Sequence, residues 1–252
     1  GWGSLCLSWE FVRSFEPGDK RRQYSAVAKG DTHPITGQTV GVTSGFDGLF
    51  QGSENMPTVY SLKYWRCKPG ENNKVFNPIS LTLKRYAGIM LDYAECCFET
   101  GDNATGWNMI RQIRNRAWGN LEMGETMIDL PADMLNTQTV EVPDAETHYT
   151  SYKAAKGYTS PVWKVALIIE RRHEFNAEFS LYHDLCRMGM CKEWFAAEYP
   201  KTVANSSQEA CLQTGDSFRF FEHEAYQEIF PIPTNEILTN PLINQADQNP
   251  GY

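Results

Sequence analysis

Residues 170–189 constrain the fold more than any other stretch, because they place a dense set of charges on a helix that has to be buried. They read Glu-Arg-Arg-His-Glu-Phe-Asn-Ala-Glu-Phe-Ser-Leu-Tyr-His-Asp-Leu-Cys-Arg-Met-Gly. Ile168, Ile169, Phe175, Phe179, Tyr182, Leu185 and Met188 recur at helical intervals, so one stripe faces a core. Glu170, Glu174 and Glu178 form a row four residues apart. Arg172 falls on the apolar stripe, and a guanidinium there must be paired or stacked, because an isolated buried charge is costly. Glu170, Arg171, Arg172, Glu174, Asp184 and Arg187 are therefore expected to build a structural hub of ion pairs rather than a catalytic site.

A second periodic segment lies upstream. Tyr86, Met90, Tyr93, Ala94 and Cys97 mark one helical face, Gly101-Asp102-Asn103 breaks the helix, and Trp107, Ile110, Arg114 and Ala117 mark another. The result is an antiparallel hairpin over 84–118, close in length to the ~34 residues of a tetratricopeptide-like unit. Residues 1–83 are loop- and strand-rich, with Phe15-Glu-Pro-Gly-Asp19 a turn signal, Lys20, Arg21 and Arg22 a solvated basic cluster, and 60–65 a strand. Residues 119–159 carry Pro131 and Pro143 without clear period and read as a long loop. Ser160-Pro161 opens the helix leading into the central stretch, and 160–252 form a helical hub and tail. Phe46 and Phe50 stand in a Gly-rich tract suited to presenting rings.

Charge narrows the partners. A formal net charge of -8 disfavours nucleic acid and anionic membrane surfaces, which require basic patches. No apolar run reaches the length of a membrane span, and the first residues lack the pattern of a signal peptide. Seven cysteines include no CxxC pair, so neither a disulfide framework nor a zinc knuckle is indicated.

Motifs of catalysis are missing as well. The sequence contains no Gly-x-Ser-x-Gly elbow, His-Glu-x-x-His, Walker loop, dinucleotide fingerprint or EF-hand. His33, His148, His173, His183 and His223 are dispersed, so any metal site would have to be assembled by folding. No metal and no cofactor is expected.

A set of ordered pieces rises above this background. They are Phe15-Glu-Pro-Gly-Asp19-Lys-Arg21, Leu62-Lys63-Tyr64, Arg85-Tyr86 with Tyr93-Ala94-Glu95, Ile113-Arg114-Asn115-Arg116-Ala117, Glu170-Arg-Arg-His-Glu174 with Asp184-Leu185 and Arg187-Met-Gly189, Pro231-Ile-Pro233 with Glu236-Ile237, and Gln248-Asn-Pro-Gly-Tyr252. Together they resemble the C-terminal half of the SusD/RagB family, in the family's order and across nearly the whole chain. Departures are local: Phe179, Ser180, Leu181 and Tyr182 replace a Gly and a His-Arg-Trp-like run, Trp118 replaces a Gly, and Arg111 replaces an Asn.

The resemblance implies a mainly α fold, a SusD-like α-α superhelix of tetratricopeptide-like hairpins with long loops and a few short strands. On that reading residues 1–252 are one C-terminal domain, incomplete relative to a family of about twice this length. It implies a non-catalytic lipoprotein on the cell surface, in the outer membrane, that captures glycans or other nutrients for a SusC-like TonB-dependent transporter. Contact with the membrane would run only through a lipid anchor absent from this chain. Sugar capture stacks aromatic rings on pyranose faces, which points to the loop aromatics Phe46, Phe50, Trp65, Tyr149, Tyr152 and Tyr158. Two other readings are a glycoside hydrolase with a carboxylate pair and a helical-repeat scaffold for a protein partner.

Overall fold

The computed structural model describes residues 6–7, 9–27, 31–32, 39, 59–61, 63, 82–120, 136, 138–178, 180–198 and 223–252. The fold is mainly α. A small antiparallel sheet joins β1 (Cys6–Leu7), β3 (Val59–Ser61) and β2 (Ala26–Val27) in the order β1-β3-β2, with Leu7 opposite Val59 and Ala26 opposite Ser61. Two short helices, α1 (Trp9–Arg13) and α2 (Arg21–Ser25), lie between its first two strands in sequence. The strand expected over 60–65 is thus β3, and residues 62, 64 and 65 lie outside the described set.

The hairpin consists of α3 (Tyr86–Glu99) and α4 (Asn103–Ala117). Gly101, with φ of 86°, supplies the left-handed residue that ends α3, and the Asp102 carboxylate accepts from Thr105 N to start α4. Close approach of the two helices depends on Gly106, where a Cβ would lie 2.8 Å from the Phe98 ring. That ring stacks on Trp163 at 5.3 Å and meets the edge of Trp107 at 5.2 Å, so it is fixed from both sides.

The buried face of α3 coincides with the expected one at Ala94 and Cys97 and departs from it at the two tyrosines. Ala87, Leu91, Ala94, Cys97 and Phe98 are buried, whereas Tyr86 and Tyr93 are 72% and 53% exposed. Apolar residues occupy most of this helix's circumference, so periodicity offered two stripes. The one that meets α4 and the central helix won, and tyrosine tolerates solvent through its hydroxyl.

Within 119–159, expected as loop, lies α5 (Ala145–Lys156), capped by the Asp144 carboxylate and closed by Gly157 at φ of 76°. Then comes α6 (Val162–Glu174), the central helix, which packs against α2, α3, α4, α5 and α7 (Leu181–Arg187). Every residue from Val165 to Glu174 is buried. Pro161 sits one residue ahead of the helix rather than at its first position, and its carbonyl accepts from Lys164 N.

The continuous helix expected through residues 170–189 is broken. Ala177 takes φ of 62°, left-handed and uncommon for a residue with a Cβ, and Glu178 N closes a turn on Phe175 O. This turn folds α7 back against α6. Gly189 turns the chain again into α8 (Cys191–Glu198). Near the C-terminus lie a short 3-10 helix (Ala225–Glu228), α9 (Thr234–Thr239) and a second 3-10 helix (Gln245–Asp247).

Candidate functional site: a buried ion-pair hub and the cleft beside it

Successive residues of an α-helix point about 100° apart, so Glu170, Arg171, Arg172 and His173 aim into four different walls. Because α6 is enclosed, each must find its partner there. Glu170, fully buried, accepts from Arg21 Nη1 at 2.8 Å, Arg114 Nη1 at 3.2 Å and the Tyr149 hydroxyl at 2.6 Å. Burial alone would raise its carboxyl, but Arg21 and Arg114 outweigh that and hold it below the usual carboxylate range. One turn on, Glu174 meets Arg116 at 2.6 Å, Arg85 at 2.9 Å and Arg21 at 3.4 Å. These cations overcome burial and keep it far below its ordinary value. Glu178 extends the row from the turn, pairing with Arg85 at 2.9 Å and Lys63 at 3.1 Å.

Arg171 faces the opposite wall and reaches Asp92 and Glu95 of α3 and Asp184 of α7, each at 3.0 Å. Arg187 joins the same group through Glu95 and Asp184. Arg172 lies between the rings of Phe11 and Trp194, 5.2 and 5.0 Å from their centroids, with Glu198 at 3.6 Å. His173 stacks on Phe15 at 4.1 Å and stands 2.8 Å from Ser14 Oγ. Burial, reinforced by Arg21, Arg172 and Arg114, holds its imidazole well below the usual histidine range, so it is neutral.

Of the expected ring-stacking residues, Phe46, Phe50 and Trp65 lie outside the described residues. Tyr149 and Tyr152 are on α5 rather than in a loop, and Tyr158 follows that helix. Tyr149 and Tyr158 are 1% and 5% exposed. Tyr149 donates to Glu170, while Tyr152 and Tyr158 both donate to Glu198 at 2.8 Å, so their hydroxyls satisfy buried carboxylates.

Sequence reasoning missed most of the cations that complete the hub. Arg21, expected on a solvated surface, is buried and doubly engaged by Asp19. Its neighbourhood, together with Arg85, Arg114 and Arg116, sits inside the ordered pieces quoted above, and the fold gathers those pieces around α6. Trp118, a departure from the pattern, packs under the Arg114 guanidinium at 4.9 Å and against Gly18, where a Cβ would fall 2.7 Å from its indole nitrogen.

An open cleft of about 590 Å³ lies beside the hub, between α3 and the start of α7. Lys84, Arg85, Asp92, Glu95, Phe175 and Arg187 line it. Lys84, Asp92 and Arg187 keep roughly half of their side-chain surface open to solvent. The cleft has the size of a small-ligand site and combines hydrogen-bonding groups of both signs with one aromatic wall.

Among the described residues no helix is long and apolar enough to cross a membrane. The family model described as "SusD family" matches residues 1–252. No curated protein and no solved structure matches the chain.

Proposed function

The chain belongs to the SusD family, and from that premise we propose that it is a non-catalytic surface protein capturing glycans or related nutrients for a TonB-dependent outer-membrane transporter. Proteins of this family bind nutrients or glycans, are generally non-catalytic, associate with the outer membrane and work with such transporters. The family match along the whole chain is the observation that carries the proposal. Ligand contacts fall to the cleft lined by Lys84, Asp92, Phe175 and Arg187 and, on the sequence reading, to the aromatics Phe46, Phe50 and Trp65. Charged groups there would hydrogen-bond hydroxyls, and rings would stack on pyranose faces.

A glycosidase needs one carboxyl raised toward neutrality to act as general acid, a role that Glu170 and Glu174, held ionised by fixed guanidinium groups, do not fit. Isothermal titration against a panel of neutral glycans, run beside an assay for released reducing sugar, tests the proposal. Heat of binding without product is expected; a panel in which no glycan binds, or one that is turned over, would overturn it.

A further inference from the structure

Donor side chains from two segments far apart in sequence converge at the corner between α7 and α8. Donor atoms of Cys191, His223 and Glu228 all lie within 4.8 Å of one another. Cys186 Sγ is 3.5 Å from Cys191 Sγ. We propose that Cys191, His223 and Glu228, with Cys186 as fourth donor, form a binding site for a thiophilic divalent cation, Zn²⁺ being the ion whose chemistry fits best.

Spacing and softness both point to that ion. Four donors bonded at ~2.0–2.3 Å in a tetrahedron stand about 3.3–3.8 Å apart, and the two sulfurs already do. Donor atoms of Cys191, His223 and Glu228 lie within 4.8 Å of one another, and Glu228, the member that faces solvent, is the one free to adjust. Thiolate and imidazole donors favour Zn²⁺ over Ca²⁺ or Mg²⁺, which take oxygen ligands.

Backbone turns and ring contacts hold the donors in place. Gly189, at φ of 68°, reverses the chain between α7 and α8, and Met190 N bonds back to Leu185 O, so two cysteines five residues apart meet. Cys191 is fully buried and His223 is 3% exposed. The imidazole of His223 stacks flat on Phe195 of α8, centroids 5.5 Å apart, and Tyr182 of α7 packs edge-on at 6.4 Å. The Tyr182 hydroxyl donates to Gln227 O at 3.0 Å, which fixes the backbone next to Glu228. Orienting contacts of this kind commonly surround metal ligands. A bound ion would fasten the segment after residue 222 to the helical core.

The test uses the full chain, reduced and stripped of metal with a chelator, then titrated with Zn²⁺ and, as a spectroscopic probe, Co²⁺. One equivalent of either ion should bind, Co²⁺ should show thiolate charge transfer with tetrahedral ligand-field bands, and Zn²⁺ should raise the melting temperature. Cys191→Ser and His223→Ala should each weaken binding at least ~100-fold, and Cys96→Ser should leave it unchanged. Glu228→Gln, a solvent-facing change that spares the fold, should weaken it by ~10-fold or more even if the core variants misfold. Absence of saturable one-to-one binding, binding indifferent to Glu228→Gln, or a Cys186–Cys191 disulfide in the native protein under non-reducing mass spectrometry would overturn the proposal.

Discussion

At the scale of single residues, the hub is a set of charges whose worth lies in being complete. A buried carboxylate that loses its charge leaves its cations uncompensated, and breaking such a pair costs about 3–5 kcal/mol. We expect Glu170→Gln to lose that much stability in urea titration, because Arg21 and Arg114 both face Glu170. Tyr149→Phe, which removes one hydroxyl from the same carboxylate, should lose only about 1–2 kcal/mol. Arg172→Ala should lower stability through lost packing on Phe11 and Trp194 while leaving glycan affinity intact; a variant with unchanged melting temperature and no ligand binding would contradict its assignment to the scaffold. Acid should destabilise the protein in two stages. His173 stays neutral in the fold, so below about pH 6.5 the unfolded chain binds a proton that the native state refuses, and stability falls as pH falls. Glu170 and Glu174 have depressed values, so their contribution is complete above about pH 4.5 and is lost progressively below it. Urea titrations from pH 8 to pH 2 should therefore show an upper slope that is reduced in His173→Gln and a lower slope that is not.

At the scale of elements, two glycines on the hairpin separate packing from propensity. Gly→Ala within a helix gains up to about 1 kcal/mol where space allows. At Gly88 a Cβ meets only the flexible end of Lys84, at 3.1 Å, so Gly88→Ala should be neutral or stabilising. At Gly106 the same Cβ strikes a Phe98 ring held by Trp107 and Trp163, so Gly106→Ala should cost about 1–3 kcal/mol despite its better propensity. Thermal melts of the two variants check the contrast. The tail is closed by similarly local chemistry. Gln248 bonds Ile232 through both N–H and carbonyl, and Gly251, at φ of 94°, lets Tyr226 approach where a Cβ would fall 2.4 Å from the ring. Gly251→Ala should release that closure, which limited proteolysis between residues 226 and 252 would register as faster cleavage.

At the scale of the whole molecule, α6 is an axis to which α2, the hairpin, α7 and α8 are fastened by salt bridges as well as by apolar contact. The helical class, the hairpin with its break at 101–103, and the importance of residues 170–189 were legible in the sequence, because helical period and Gly or Asp punctuation are local signals. The ordered pieces that carry the family resemblance were legible too, and six of the hub residues were named from them and from the charge pattern. Partner identity was not. Arg21 looked like part of a surface cluster, Tyr149 and Tyr158 like loop rings, and Tyr86 and Tyr93 like core, and each reading rested on spacing within its own segment. The sequence determined which residues carry charge, which segments coil and where they stop, since those follow from side-chain chemistry within a few residues. Tertiary structure alone decided which stripe of α3 is buried, that the helix breaks at Ala177, and that Cys186, Cys191, His223 and Glu228 share one corner. Those outcomes depend on contacts between residues tens of positions apart, whose energies exceed local preference and leave no periodic trace in the chain.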